Sequence, residues 1–104
     1  MILFALLLTS SDPVPLSPPP SWVDYPPSAL RNGEQGTVRY RVTVNPAGTP
    51  IACDVTASSG FETLDGEACR QIIRHGRFRP AMNEAGEAVS GSYAGSLRWS
   101  FQDE

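Results

Sequence analysis

The most regular pattern in the chain is "GTVRYRVTVN", where apolar and polar positions alternate without a break. Val38, Tyr40, Val42 and Val44 point one way and Thr37, Arg39, Arg41 and Thr43 the other, as in a half-buried strand with one solvated face. After the turn residues "NPAGTP", the segment "IACDVTA" alternates again, with Ile51, Cys53, Val55 and Ala57 expected to face inward, so the two segments form a β-hairpin. The period then changes. Leu64, Ala68, Cys69, Ile72 and Ile73 recur as the stripe of an amphipathic helix. Ser58-Ser59-Gly60 ends the strand before it. Thr63 is expected to cap the helix, with Asp65 and Glu67 in its first turn, where its dipole favours negative charge. Arg70 and Arg74 flank its end and Gly76 stops it. "VSGSYAGSLRWSF" reads as a last strand, with Tyr93, Leu97, Trp99 and Phe101 on one face and Ser90, Ser92, Ala94, Ser96, Arg98 and Ser100 on the other. "PPSALRNG" predicts one helical turn ahead of the first strand, with proline at its start and Asn32-Gly33 at its end.

The order strand, strand, helix, strand defines an α+β fold: a small three-stranded antiparallel sheet with one main helix on one face. A hairpin followed by a right-handed crossover puts the third strand beside the first, giving the order two-one-three. Strands two and three are then edges. Strand three carries only Arg98 as a charged guard, among serines, Ala94 and two glycines. Such an edge can accept an extended peptide by strand addition, or its small residues can pack under a neighbouring loop.

Composition matters most at the front of the chain. With 104 residues, 40% of them hydrophobic, the protein is at most one small domain. A net charge of −3 argues against general nucleic-acid binding. Residues 1–8 form an apolar run far shorter than the roughly 20 residues of a membrane-spanning helix. Followed by Thr9, Ser10 and Ser11, residues 1–11 read as a signal-like or truncated anchor segment, and export is expected. Residues 12–27 hold seven of the ten prolines and read as an extended spacer or a loose lead-in. The folded domain is placed at residues 22–104, and residues 1–20 are expected to be dispensable for folding.

Cys53 lies on the inward face of strand two and Cys69 on the inward stripe of the helix that covers it. In an oxidising compartment a disulfide is expected, worth about 3 kcal/mol for a loop of this length. The alternative is two buried free thiols. One histidine and two cysteines are too few for a zinc site. No enzyme is expected. His75 sits alone at a helix end, "GSYAG" falls within a strand pattern, and Asp65 and Glu67 are two apart on a helix, so they do not face each other. The arginines at 70, 74, 77 and 79 suit a helix C-terminus better than a phosphate site.

Three stretches, "DYPPSALRNGEQGTVRYRVTVNPAGTP", "VTASSGFETLDGEACRQI" and "RFRPA", resemble in order and spacing the C-terminal domain of the TonB energy-transducer family. The resemblance covers roughly residues 22–101. It rests on Tyr25-Pro26, Gly36 at the entry to strand one, Ser58-Ser59-Gly60, Leu64-Asp65 and Phe78-Arg79-Pro80-Ala81. The cysteine pair is similar to that of a recurrent subset of the family. The resemblance implies a periplasmic module that grips the TonB box of a TonB-dependent outer-membrane receptor. The box adds as a strand beside strand three, which makes Ser90, Ser92, Tyr93, Ala94, Gly95, Ser96 and Arg98 the expected partner residues. Trp22, Val23, Asp24 and Tyr25, around the Tyr-Pro pair, are expected to touch it too. The family couples the proton-motive force to transport through ExbB and ExbD, which become partners here if a membrane anchor lies upstream. A passive periplasmic peptide-binding or scaffold module of the same fold is the alternative. A dimer is left open, and no cofactor is implied.

Overall fold

The computed structural model describes residues 10–16 and 24–101. The apolar run at residues 1–8, Trp22 and Val23 therefore lie outside the described residues. The chain forms β1 (Val14–Pro15), α1 (Pro27–Arg31), β2 (Gly36–Val44), β3 (Pro50–Ala57), α2 (Glu62–His75), β4 (Phe78–Arg79), β5 (Ala81–Met82), β6 (Ala88–Val89) and β7 (Gly91–Trp99). The main sheet runs β3-β2-β7, antiparallel throughout.

The alternation of β2 is expressed in full: Val38, Tyr40, Val42 and Val44 are buried. They pack with Leu64, Ala68 and Ile72 of α2, with Leu97 and Trp99 of β7, and with Phe78 and Ala29. Burying each large apolar side chain of this set contributes about 1.5–3 kcal/mol. The core thus sits between α2 and the middle strand.

On β3 the expected alternation fails. Ile51 is 57% exposed and Val55 39%, and Ala57 is exposed too; only Cys53 turns partly into the core. For Ile51 and Ala57 the cause lies in the register. Pairing shifts between Thr43 and Val44 and again between Arg39 and Tyr40, which makes Ile51 and Thr56 the extra residues of two bulges. Each bulge breaks the two-residue period: Ile51 is itself a bulge residue, and Ala57 pairs with solvent-facing Arg39. Val55, opposite buried Tyr40, keeps the phase of Cys53 and is exposed because β3 is an edge strand.

The start of α2 also differs from expectation. Phe61, not Thr63, is the N-cap, and it makes no side-chain cap bond. The acidic residues of the first turn are Glu62 and Asp65 rather than Glu67. Asp65 instead ties down the preceding loop: its Oδ1 accepts from the Ser59 amide (2.9 Å) and hydroxyl (2.8 Å), and its Oδ2 from the Ser58 hydroxyl. Gly76 ends the helix with φ −67°, so a left-handed turn does not explain it; a Cβ there would lie 2.6 Å from the Ile72 carbonyl oxygen.

The proline-rich lead-in is not free of the fold along its first part. Val14 and Pro15 pair with Arg79 and Phe78, and the Leu16 amide donates to the Arg77 carbonyl at 2.9 Å. Ser11 and Met82 exchange two backbone bonds of 3.0 Å, and Pro13 is buried. Proline lacks a backbone donor but keeps its carbonyl, so a two-residue edge pairing suits it. The turn of the β2–β3 hairpin docks on the same region. Gly48 has φ +84°, and its carbonyl accepts from the Phe78 amide at 2.9 Å, an approach that no side chain at 48 would permit.

The candidate partner-binding edge

Among the described residues no strand pairs along the far side of β7, so this nine-residue strand is an open edge. Which of its backbone groups are free follows from the hairpin. The Asn45 amide donates to the Thr49 carbonyl at 3.0 Å, so the polar groups of residue 45 aim toward β3. Backbone polar groups alternate in direction along a strand, and both bulges fall on β3, so β2 keeps its alternation. Val44, Val42, Tyr40 and Val38 therefore aim at β7, where their partners are Gly91, Tyr93, Gly95 and Leu97. Ser92, Ala94, Ser96 and Arg98 are left with N–H and C=O groups directed to the open edge. The Phe101 amide agrees with this parity, since it turns inward to the Gln35 Oε1 at 3.1 Å.

The side chains of β7 divide just as cleanly. Ser92, Ala94, Ser96 and Arg98 are exposed on the face away from α2, as is Ser90 between β6 and β7. Tyr93 is half-buried on the core side, its ring centroid 5.5 Å from that of Phe78. Gly95 lies against Tyr40: a Cβ at 95 would stand 2.8 Å from the Tyr40 hydroxyl and 2.8 Å from the Tyr93 ring. The glycine in mid-strand thus makes room for the buried tyrosine. Burial, helped by neighbouring Tyr93, pushes the Tyr40 phenol up to about 12, so it stays neutral at physiological pH.

Of the expected residues ahead of the Tyr-Pro pair, Asp24 is exposed and Tyr25 is half-buried. Tyr25 is fixed at the far end of β7. Its ring meets Trp99 edge-on at 5.2 Å and Phe101 at 5.4 Å, and its hydroxyl donates to the Glu34 carbonyl oxygen. Burial raises its pKa, and the charge of Glu34 adds to the shift. The structure so brings Tyr25 to the end of the strand that carries the other expected residues.

Cys53 and Cys69 are joined in a disulfide, with Cα atoms 5.6 Å apart, tying β3 to α2 on the opposite edge of the sheet. Among the described residues no group of three or more acidic, histidine or cysteine side chains is arranged to hold a metal. None of their helices is long and apolar enough to cross a membrane. What the residue patterns did not single out is the pair Arg39 and Arg41 as neighbours of this edge. Their outward direction was legible, but their places beside Ser96 and Ala94 depend on the register.

Among the described residues the chain is a small α+β domain with a covered core and a three-stranded sheet open at both edges, of which β7 is the lightly guarded one. The chain belongs to the family described as the Gram-negative bacterial TonB protein C-terminal, whose profile matches residues 22–102. It is 43% identical over 51 residues to Protein tonB2 of Pseudomonas aeruginosa and 40% identical over 55 residues to Protein TonB of Neisseria meningitidis serogroup C. These alignments take in 49% and 53% of this chain but 19% of each relative, so the chain matches about a fifth of their length. Its fold is similar to the solution NMR structure of the Pseudomonas aeruginosa TonB CTD, with a TM-score of 0.65 and 26% identity over 90% of this chain and 91% of the other. In TonB proteins this domain interacts with outer-membrane receptors, and the family is associated with the cell envelope.

Proposed function

We propose that this domain binds the TonB box of an outer-membrane receptor by adding it as a strand to β7, within energy-coupled transport across the periplasm. The observation that carries the proposal is the parity of β7. Four successive alternate residues, Ser92 to Arg98, turn their donors and acceptors to an edge that no described strand occupies. Main-chain bonds along such an edge supply affinity that tolerates sequence variation, and side-chain contacts supply selectivity. Tyr25 packs against Trp99 and Phe101 at the end of β7, which supports the reading that the residues around the Tyr-Pro pair also touch the partner. ExbB and ExbD are partners if an anchor precedes the chain.

The test separates two adjacent residues. Ala94→Pro removes an outward donor and leaves the β2 ladder intact, whereas Gly95→Pro removes a ladder donor and also drives atoms into Tyr40. Ala94→Pro keeps the parent circular dichroism spectrum and loses at least about tenfold in affinity for a receptor's TonB-box peptide in calorimetry, while Gly95→Pro unfolds. A folded Ala94→Pro that binds as tightly as the parent refutes strand addition at this edge.

A further inference from the structure

The sheet face turned away from α2 carries three exposed arginines, Arg39, Arg41 and Arg98, in a chain whose net charge is −3. The register sets Arg41 opposite Ala94, Arg39 opposite Ser96 and Thr37 opposite Arg98, so all three lie along the two strands nearest the open edge. Among the described residues no carboxylate lies within 4 Å of any of them; the ion pair found there joins Arg70 to Glu67 on α2. Arg41 has a carboxylate as its neighbour on the other side, Asp54 of β3. Its guanidinium nevertheless turns toward β7, where Nη1 donates to the Ser92 hydroxyl at 3.4 Å. Arg39 borders a hollow of about 300 Å³ floored by Ala94, Gly95 and Ser96, residues too small to fill it.

We propose that this face selects acidic strands: the segment that adds to β7 carries carboxylates at the alternate positions projecting on the arginine side. The inference rests on the strand addition proposed above and specifies the chemistry of its partner. An added strand lies about 4.8 Å beyond β7, with every second side chain standing beside Ser92, Ala94, Ser96 or Arg98. A carboxylate beside Arg98 meets it directly. Carboxylates beside Ala94 and Ser96 look across a short side chain at Arg41 and Arg39, which have no bulky residue between them and the edge. Arginine pairs with carboxylates through its planar fork, and the hollow gives that fork room to turn. Lysine or arginine at the same positions of a partner is repelled, so the face discriminates as well as attracts.

The probes are two synthetic peptides of the length of β7, alike in their valine and threonine positions. One carries Asp and the other Asn at alternate positions. Each exposed pair strengthens binding by about twofold, so the parent domain binds the Asp peptide about tenfold more tightly at low ionic strength. The preference shrinks toward unity as salt rises to about 0.5 M. The triple variant Arg39→Gln, Arg41→Gln, Arg98→Gln abolishes the preference without weakening the Asn peptide. Arg74→Gln, on the helix, leaves the preference in place. Equal affinity for the two peptides in the parent, with both lost in Ala94→Pro, overturns the selectivity and leaves strand addition standing. Failure of both to bind, or binding of both that survives in folded Ala94→Pro, overturns strand addition and this inference with it. Should the triple variant lose its fold, the salt dependence in the parent decides.

Discussion

Breaking the disulfide is expected to loosen one edge of the sheet and spare the other. The bond closes a sequence separation of 16 residues between β3 and α2. Releasing a loop of that length restores unfolded-state freedom worth about 3 kcal/mol. In a domain of this size each kcal/mol moves the melting temperature by about 4–8 °C, so reduction, or Cys53→Ala with Cys69→Ala, lowers it by about 12–24 °C. Little apolar packing makes good the loss. Ile51 and Val55 on β3 and Ile73 on α2 are all more than a third exposed, and with the two cysteines Ile51 and Ile73 border an open groove. The helix keeps its hold on β2, since Leu64, Ala68 and Ile72 are buried against it. The reduced protein therefore stays folded at room temperature, with β3 loosened and β7 in place. Thermal melts by circular dichroism with and without reductant measure the first effect, and peptide calorimetry well below the melt measures the second. A shift under about 3 °C refutes the loop-closure reasoning. Lost peptide affinity in a protein that is still folded refutes the independence of the two edges.

A chain beginning at Ser21 gives up the Ser11–Met82 and Leu16–Arg77 bonds, the β1–β4 pairing and the burial of Pro13, and is expected to lose about 1–3 kcal/mol. A melt within about 2 °C of the full chain's overturns this and returns the lead-in to a mere spacer. For Asp65, burial pushes the carboxyl up, but hydrogen bonds from Ser58 and Ser59 outweigh it and hold the pKa below the usual value. A lowered folded pKa gives stability that is present above the unfolded value of about 3.9 and is lost as pH falls through the folded value. Asp65→Asn is thus less stable than the parent by about 1 kcal/mol at neutral pH, after allowance for its partial exposure. The gap between the two proteins closes as pH falls through the folded value, and a gap that stays constant throughout acid titration contradicts the assignment.

The hairpin, the helix and the last strand were legible because their signals are local. Alternation along β2 and the stripe from Leu64 to Ile72 each record a one-sided burial that the chain expresses without reference to distant residues. The cysteine pairing was legible for the same reason, as two inward positions on elements that must pack. Legibility ended where pairing or bulges entered. Ile51 and Ala57 sit at inward positions of a two-residue alternation, yet the two bulges of β3 turn them out, while Val55 keeps the phase of Cys53 and is exposed at the sheet edge. Thr63 has the chemistry of a cap, but the loop before α2 is held by Asp65 instead. Val14 and Pro15 look like spacer and become a strand only because Phe78 and Arg79 present an edge to them.

The candidate site divides along the same line. The sequence alone determined that strand three would be an edge of small residues, and that Arg39 and Arg41 would face solvent. Which of Ala94 and Gly95 turns its donor outward, and that Arg41 reaches Ser92 across 51 positions of sequence, were decided by the tertiary structure alone. Side-chain facing repeats every two residues within a single strand, whereas register is a relation between two strands. It is set only when the hairpin closes and β7 docks, as distant backbones find their hydrogen bonds over a shared core.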